Sequence, residues 1–338
     1  MRVTISDMAD ALGLTKSTVS RALNEYPDIS ANTRLRVKRM AEKLNYQPLS
    51  HAQAIKTGRT RSLGLVLQFA DHDAQRPFLA EFLAGVSAGT SNEGYTLTVA
   101  SADNDTYLIE AFRNMLSDRK ADGFILPRAR VDDARVNMLH EANVPFVLYG
   151  RPTEAKDCAW FDVLGEDAMH DAVLHLADLG HRQIGFINGG LVYSYAGLRR
   201  AGFERGMRAA GLEIAPRRIE ENAVALDTGA AAAARLLDQH KPPTAIICAV
   251  DRAALGVYNA AAERNLRIGK DLSVVAYDGI QEGAHVQPPL TTFSVDNRHA
   301  GKRLASLLIR RIHGEGPEAL RETMSATFLL RGSTGPAP

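Results

Sequence analysis

Four side chains near the amino end have the types and spacing to read a double helix. Lys16, Ser17, Ser20 and Arg21 follow an i, i+1, i+4, i+5 pattern, which on a short helix gathers two cations and two hydroxyls on one face. Arginine and lysine donate to guanine O6 and N7, and small hydroxyls reach base edges or phosphate without crowding. Taken alone, such a stripe is better read as a solvated helix face. What surrounds it reverses that weighting.

The stripe needs a helix with a core on its other side, and Val19, Ala22 and Leu23 supply one, with Thr15 placed to cap it. Upstream, Thr4 and Asp7 have the form of a helix start, Met8, Ala9 and Leu12 share a face, and Gly13 stops the helix. Downstream, Ser30 can cap a third helix that turns Val37, Met40, Ala41 and Leu44 inward beside Arg34, Arg36, Lys38 and Arg39. Three short helices of this kind make a small all-α helix-turn-helix head, in which the second helix enters the major groove.

Charge divides the same way. The chain of 338 residues has a net charge of +1, but its first 61 residues carry eleven Lys and Arg against five Asp and Glu, so the remainder is acidic. A basic head on an acidic body suits a polyanion-binding module joined to something that should avoid the polyanion, and fits nucleic acid better than a membrane. The opening MRVTISDMADALG has no secretory features and no stretch approaches bilayer-spanning length, so a cytoplasmic protein is expected. Cys158 and Cys248 lie too far apart in sequence to suggest a disulfide framework or metal-ligand spacing, and read as buried thiols.

From residue 62 onward, apolar β-branched runs alternate with helical stretches: LGLVLQ at 63–68, TLTVA at 96–100, DGFILP at 122–127, VPFVLYG at 144–150, QIGFIN at 183–188, TAIICAV at 244–250 and LSVVAYDG at 272–279. Such alternation predicts doubly wound α/β architecture, parallel sheets with helices on both faces. Ligands of these sheets bind beyond the carboxyl ends of the strands, which draws attention to Arg128, Arg151, Asp251 and Asp278. The AAAAAR run at 230–235 reads as a helix whose small residues pack closely on a sheet.

The stretch TISDMADALGLTKSTVSRALN followed by ISANTRLRVKRMAEKLNYQP resembles the head of the LacI/GalR repressor family almost position for position. LGH-R-IGFI at 179–187, LRRAGFERGM at 198–207, SVVAYDG at 273–279 and PPLTTFSVD at 288–296 extend the resemblance over the body. It implies a sequence-specific transcription regulator with a helix-turn-helix domain at 1–48, a hinge helix and linker at 49–61, and a ligand-binding and dimerisation body at 62–338. That body would be like a periplasmic binding protein, with two subdomains at about 62–160 plus 291–320 and about 161–290 plus 321–338. The implied DNA-facing residues are Thr4, Thr15, Lys16, Ser17, Ser20, Arg21, Asn24, Ser30, Thr33 and Tyr46, with Ala52 and Ile55 of the hinge entering the minor groove. Ile55 departs from the leucine common there, and without the resemblance an apolar linker residue is equally well read as packing.

For the ligand, the resemblance assigns contacts to Arg199 and Asp278, a fork of donors and an acceptor suited to vicinal hydroxyls. Phe69, Phe78 and Trp160 are candidates to stack on a sugar face, though core packing is the favoured role for Trp160, and Tyr193 and Tyr195 occupy a loop that varies with ligand. Arg128, Arg151 and Asp251 complete the set, while Val250 stands where a polar residue is usual. The implied partners are a pseudopalindromic operator, a second copy of the chain in a homodimer, and a small carbohydrate such as an α-glucoside, with a nucleoside or sugar phosphate as the alternative. The ending RGSTGPAP lacks a leucine-rich tail, which favours a dimer over a tetramer. No catalytic motif is visible, so neither an enzyme nor a cofactor is expected, and the Asp71-His72-Asp73 triplet reads as a solvated loop, not a metal site. The rival classes are a solute-binding protein without a DNA role and an enzyme on a doubly wound fold.

Overall fold

The computed structural model describes residues 3–46, 59–68, 76–153 and 157–338. Ala52, Ile55, Phe69 and the 71–73 triplet lie outside the described residues. The chain divides into two compact units, one ending at Arg61 and the other beginning at Ser62.

The first unit is three helices: α1 (Ile5–Leu12), α2 (Lys16–Leu23) and α3 (Ala31–Lys43). Each begins on a side-chain cap. Thr4 and Asp7 close a reciprocal capping box, Thr15 accepts from the Thr18 N–H at 3.1 Å, and Ser30 accepts from the Thr33 N–H at 3.2 Å. Such caps contribute about 1 kcal/mol each, a large share of what holds helices of eight residues. Gly13, at φ 64°, makes the turn between α1 and α2 in a conformation that favours glycine. Met8, Ala9, Val19, Ala22 and Val37 are buried together, with Leu12, Leu23, Met40, Ala41, Leu44 and Tyr46 packed around them.

The second unit holds two six-stranded sheets. In chain order the first subdomain contributes β1 (Ser62–Gln68), α4 (Arg76–Asn92), β2 (Thr96–Ala102), α5 (Asp105–Ser117), β3 (Gly123–Pro127), α6 (Ala134–Glu141), β4 (Phe146–Tyr149) and β5 (Ala159–Val163). The chain then builds α7 (Gly165–Asp178), β6 (Ile184–Ile187), α8 (Ser194–Ala209), β7 (Ile219–Glu220), α9 (Leu226–Leu237), β8 (Ala245–Cys248), α10 (Asp251–Glu263), β9 (Ser273–Asp278) and β10 (Thr291–Ser294). It returns through α11 (Asn297–Ile312), β11 (Arg321–Met324) and β12 (Thr327–Leu329). The strand orders are β11-β5-β4-β3-β1-β2 and β12-β10-β9-β8-β6-β7, parallel throughout except that β12 runs antiparallel to β10.

This topology corrects the subdomain boundaries expected from sequence. Strand β5 continues to Val163 within the first sheet, β10 at 291–294 joins the second, and β11 at 321–324 closes the edge of the first. The three crossovers therefore run at 163–165, 294–297 and 324–327. Short strands such as Arg321–Met324 have too little apolar pattern to declare their sheet, because an edge strand buries one side only.

Helices pack in pairs brought close by glycine. A Cβ at Gly202 of α8 would stand 2.0 Å from the Glu166 carbonyl oxygen of α7, and one at Gly256 of α10 would stand 2.1 Å from that of Leu226 of α9. The alanine run of α9 serves the same contact, with Ala232 and Ala233 fully buried. Among the described residues no helix is long and apolar enough to cross a membrane.

Candidate nucleic-acid interface and ligand cleft

On α2, Lys16, Ser17 and Arg21 are exposed while Val19 and Ala22 face the core, so the spacing read from sequence does form one outward stripe. Ser20 is half-buried beside it. Arg21 pairs with Asp28 at 2.5 Å and lies 5.2 Å from the Tyr26 ring centroid, which holds its guanidinium at the end of the helix. Asn24 caps α2 and donates from its side chain to the Ser20 carbonyl at 2.7 Å. Thr4, Thr15, Ser30 and Thr33 are occupied by capping bonds, so any phosphate contact they make is added to a structural task. Tyr46 packs on the helical core.

Between the two sheets lies a cavity whose empty space, with its open mouth included, is about 1100 Å³. Its polar wall begins with Arg199 of α8. The guanidinium is held between two rings, 3.9 Å from the Tyr277 centroid and 4.5 Å from that of Tyr195, and donates from Nη1 to the Ala249 carbonyl at 2.5 Å. Its Nε is buried without a hydrogen-bond partner. Gly165 lies beneath this side chain, where a Cβ would stand 2.9 Å from that Nε.

Asp278 faces the same space from the end of β9, with φ 130°, a backbone conformation that L-residues rarely adopt. The turn is clamped from behind by Asp251, which is fully buried. Its Oδ2 accepts from the Gly279 and Ile280 N–H groups at 2.8 Å each, and its Oδ1 accepts from the Thr292 hydroxyl at 2.6 Å. Burial pushes the Asp278 carboxyl up to about 7 despite the opposing attraction of Arg199.

A second polar group sits where the chain crosses between sheets. Arg151 donates from Nε to Asp162 Oδ2 at 2.7 Å and from Nη2 to Glu166, whose other carboxylate oxygen is buried and unpartnered. Burial raises the Asp162 carboxyl above its ordinary range, with Arg151 opposing. Tyr149 donates to Asn297 Oδ1 at 3.0 Å on the same side. Phe78, Leu198, Val224, Val250 and Ile280 supply apolar lining, and Arg252 brings another buried, unpartnered Nε. Buried polar atoms left unpaired are uncommon, and three around one cavity mark it as built to hold a polar ligand.

The structure thus gathers Phe78, Arg128, Arg151, Tyr195, Arg199 and Asp278 around one space. Three candidates are corrected. Trp160 alternates to the opposite face of β5 from Phe161 and packs with the cluster of Leu108, Phe112 and Phe124, away from the cleft. Asp251 is spent on the β9 turn and does not line the cavity. Tyr193 stacks on Tyr195 with centroids 5.7 Å apart but opens onto a smaller neighbouring cavity lined by Gln68, Arg130 and Arg135. Asp162, Glu166, Tyr149, Asn297 and Arg252 were missed. Asp162 could have been found by recognising AWFDV at 159–163 as a strand, since it stands near that strand's carboxyl end.

Residues 4–49 match the family profile of bacterial regulatory proteins, lacI family, and residues 173–334 that of a periplasmic binding protein-like domain. The HTH-type transcriptional regulator AglR of Rhizobium meliloti strain 1021 is 33% identical over 100% of this chain and 96% of its own length. The HTH-type transcriptional repressor PurR of Glaesserella parasuis serovar 5 strain SH0165 is 32% identical over 93% of this chain and 92% of its own. Among solved structures, a lac repressor dimer bound to operator and the anti-inducer ONPF superposes with a TM-score of 0.80 at 27% identity, covering 99% of this chain and all of that one. A complex of the transcriptional regulator CelR with cellobiose superposes at 0.75 and 28% identity, covering 98% and 100%.

Proposed function

This chain belongs to the LacI family of bacterial regulatory proteins and is a DNA-binding transcriptional regulator; from that premise we propose that it is a cytoplasmic homodimeric repressor whose hold on a pseudopalindromic operator is set by a neutral carbohydrate in the cleft. The observation that carries the ligand assignment is the facing pair of Arg199 and Asp278, flanked by Tyr195, Tyr277 and Phe78. A guanidinium fork and a carboxylate serve vicinal hydroxyls, and aromatic faces serve the C–H surface of a sugar ring. The sugar named for the similar CelR complex, cellobiose, supports this reading. A phosphorylated ligand is less well served. Four arginines line the cavity, but Asp162, Glu166 and Asp278 line it too, and Arg151 is already committed to two of those carboxylates.

Two-fold protein symmetry matched to two-fold operator symmetry would place one head on each half-site. A ligand that favours one subdomain arrangement by roughly 1 to 3 kcal/mol changes operator affinity between about 5- and 150-fold. Fluorescence anisotropy on DNA from the gene's own upstream region, titrated with mono- and disaccharides, tests both halves. Tight binding that responds to one sugar is expected; tight binding that no sugar moves removes the carbohydrate assignment.

On the DNA side, Lys16→Ala or Arg21→Ala is expected to cost roughly 1 to 3 kcal/mol on the operator and to relax base preference at one position. Equal weakening on operator and random DNA would show that these side chains meet phosphate only. For the cleft, a sugar hydroxyl that donates to Asp278 requires the carboxylate. Since burial raises that carboxyl well above its ordinary range, effector affinity should be full above neutrality and fall as the pH drops and the carboxyl takes up a proton. Calorimetric titration between pH 6 and 8.5 measures this, and Asp278→Asn should flatten the profile. A profile that is flat in the unaltered protein would remove Asp278 from the contact.

A further inference from the structure

The loop after β3 and the loop before α8 belong to different subdomains, yet their backbones pair. Arg130 and Tyr193 form an isolated antiparallel bridge. Within it the Val131 N–H donates to the Val192 carbonyl at 3.0 Å, and the Ser194 N–H donates to the Ala129 carbonyl at 3.0 Å. The Arg128 guanidinium lies 5.5 Å from the Tyr193 ring centroid and 5.7 Å from that of Phe78, so side-chain contact reinforces the backbone pairing.

Both loops are braced from their own side. Buried Arg135 donates to the carbonyls of Pro127 at 3.0 Å and Arg128 at 2.9 Å while engaging Asp133, and Arg130 donates to Gln68 and Asp105 at 2.8 Å each. Across the cleft, the Leu191 N–H donates to Asn222 Oδ1 at 3.0 Å and the Gly190 N–H to the Tyr195 hydroxyl at 3.4 Å. Loops held this firmly transmit force between subdomains.

Their position gives them leverage. Strand β3 stands two places from β5, and β6 three places from β10, so the bridge is roughly 10 to 14 Å from the crossovers at about 4.8 Å per strand. An opening rotation of about 15° at that distance parts the loops by about 3 Å, which breaks both bonds. We propose that residues 129–131 and 192–194 form a backbone clasp that holds the cleft closed and so sets how tightly the effector is retained. The statement about the effector rests on the carbohydrate reading above; the statement about closure does not.

Ser194 offers a clean test because it is the first residue of α8, where proline is well accepted: the N–H there has no partner within its own helix. Tyr193 before it, at φ −100° and ψ 138°, already has the backbone that precedes proline. Ser194→Pro removes the donor and sets its ring against the Ala129 carbonyl. Ser194→Ala keeps the donor and deletes only a buried hydroxyl that has no partner.

Spin labels on Glu110→Cys and Ala231→Cys, both exposed helical sites on opposite subdomains, report the opening without effector, since the two native cysteines are buried. Pulsed dipolar spectroscopy is expected to show a longer distance in Ser194→Pro and an unchanged one in Ser194→Ala. An unchanged distance in Ser194→Pro would overturn the clasp. Should that variant not fold, hydrogen exchange on the unaltered protein decides: the Val131 and Ser194 amides should be protected, and exchange at free-loop rates overturns the proposal. With the responding sugar, Ser194→Pro should bind about five- to tenfold more weakly. A longer distance with no sugar bound by any form supports the clasp and removes the carbohydrate reading instead.

Discussion

Arg199→Ala is expected to weaken effector binding about a hundredfold or more while leaving effector-free operator affinity within about twofold. The side chain contributes in three ways that alanine loses together. Its unpartnered Nε is a free donor in the cleft, its guanidinium fills the space between the Tyr195 and Tyr277 rings, and its positive charge attracts the Asp278 carboxylate. Charge-assisted hydrogen bonds contribute roughly 1.5 to 3 kcal/mol, and at 1.4 kcal/mol per decade one such bond near the top of that range accounts for the expected loss. Arg199→Lys should recover little, because a point charge cannot both stack between the rings and present a fork. Calorimetry for the sugar and anisotropy for the operator separate the two effects. Effector binding preserved within about threefold would remove Arg199 from the contact.

Asp251→Ala should instead strike stability. Its carboxylate satisfies two backbone N–H groups and one hydroxyl at a site without solvent access, and alanine leaves all three unpaired. Each orphaned group costs about 1 to 3 kcal/mol, partly offset because a carboxylate no longer has to be buried, so a net loss near 3 to 5 kcal/mol and a fall in Tm of roughly 6 to 15 °C are expected. Asp251→Asn retains an acceptor for the turn and should recover much of the loss, since the Thr292 hydroxyl can rotate to accept from the amide. Thermal unfolding followed by near-ultraviolet circular dichroism measures both. An unchanged Tm combined with lost sugar binding would return Asp251 to the ligand.

That reassignment illustrates what a sequence does and does not disclose. Asp251 and Asp278 both follow apolar strands, and position along the chain treats them alike. They differ because β8 and β9 are neighbours: the turn after β9 folds over the start of α10, and Asp251 meets its donors there instead of a ligand. The helical head was readable because each boundary is a local event, a cap at Thr4, Thr15 or Ser30 and a stop at Gly13. Strands β1, β3, β4, β6, β8 and β9 were readable because buried parallel strands are apolar on both faces, and the partly exposed edge strand β2 was readable from its β-branched residues. Strands β5, β10 and β11 carry polar residues and gain their partners from distant segments, so the subdomain boundaries drawn through them were misplaced. Trp160 fell to the same cause, since the parity of a strand decides which face a ring occupies. Arg151 was identified as a candidate, but its partners Asp162 and Glu166 were not, because the pairing is made only when β5 and α7 bring them to it.

The threading of the first sheet has a further consequence, which concerns the order in which the protein can be completed. Arg321 to Met324 pair with Trp160 to Val163, and α11 covers β3, β4 and β5, so the first subdomain waits for segments made after β10, while the second waits longer still for β12 at Thr327–Leu329. The head depends on nothing beyond its own 61 residues for its core. At 5 to 20 residues per second the ribosome needs roughly 15 to 55 s to add the rest, during which the growing chain carries a finished reading head and an unfinished sensor. A message broken after β10 would yield a product of that kind, with its head complete, its first sheet open at the β5 edge and its second still lacking β12.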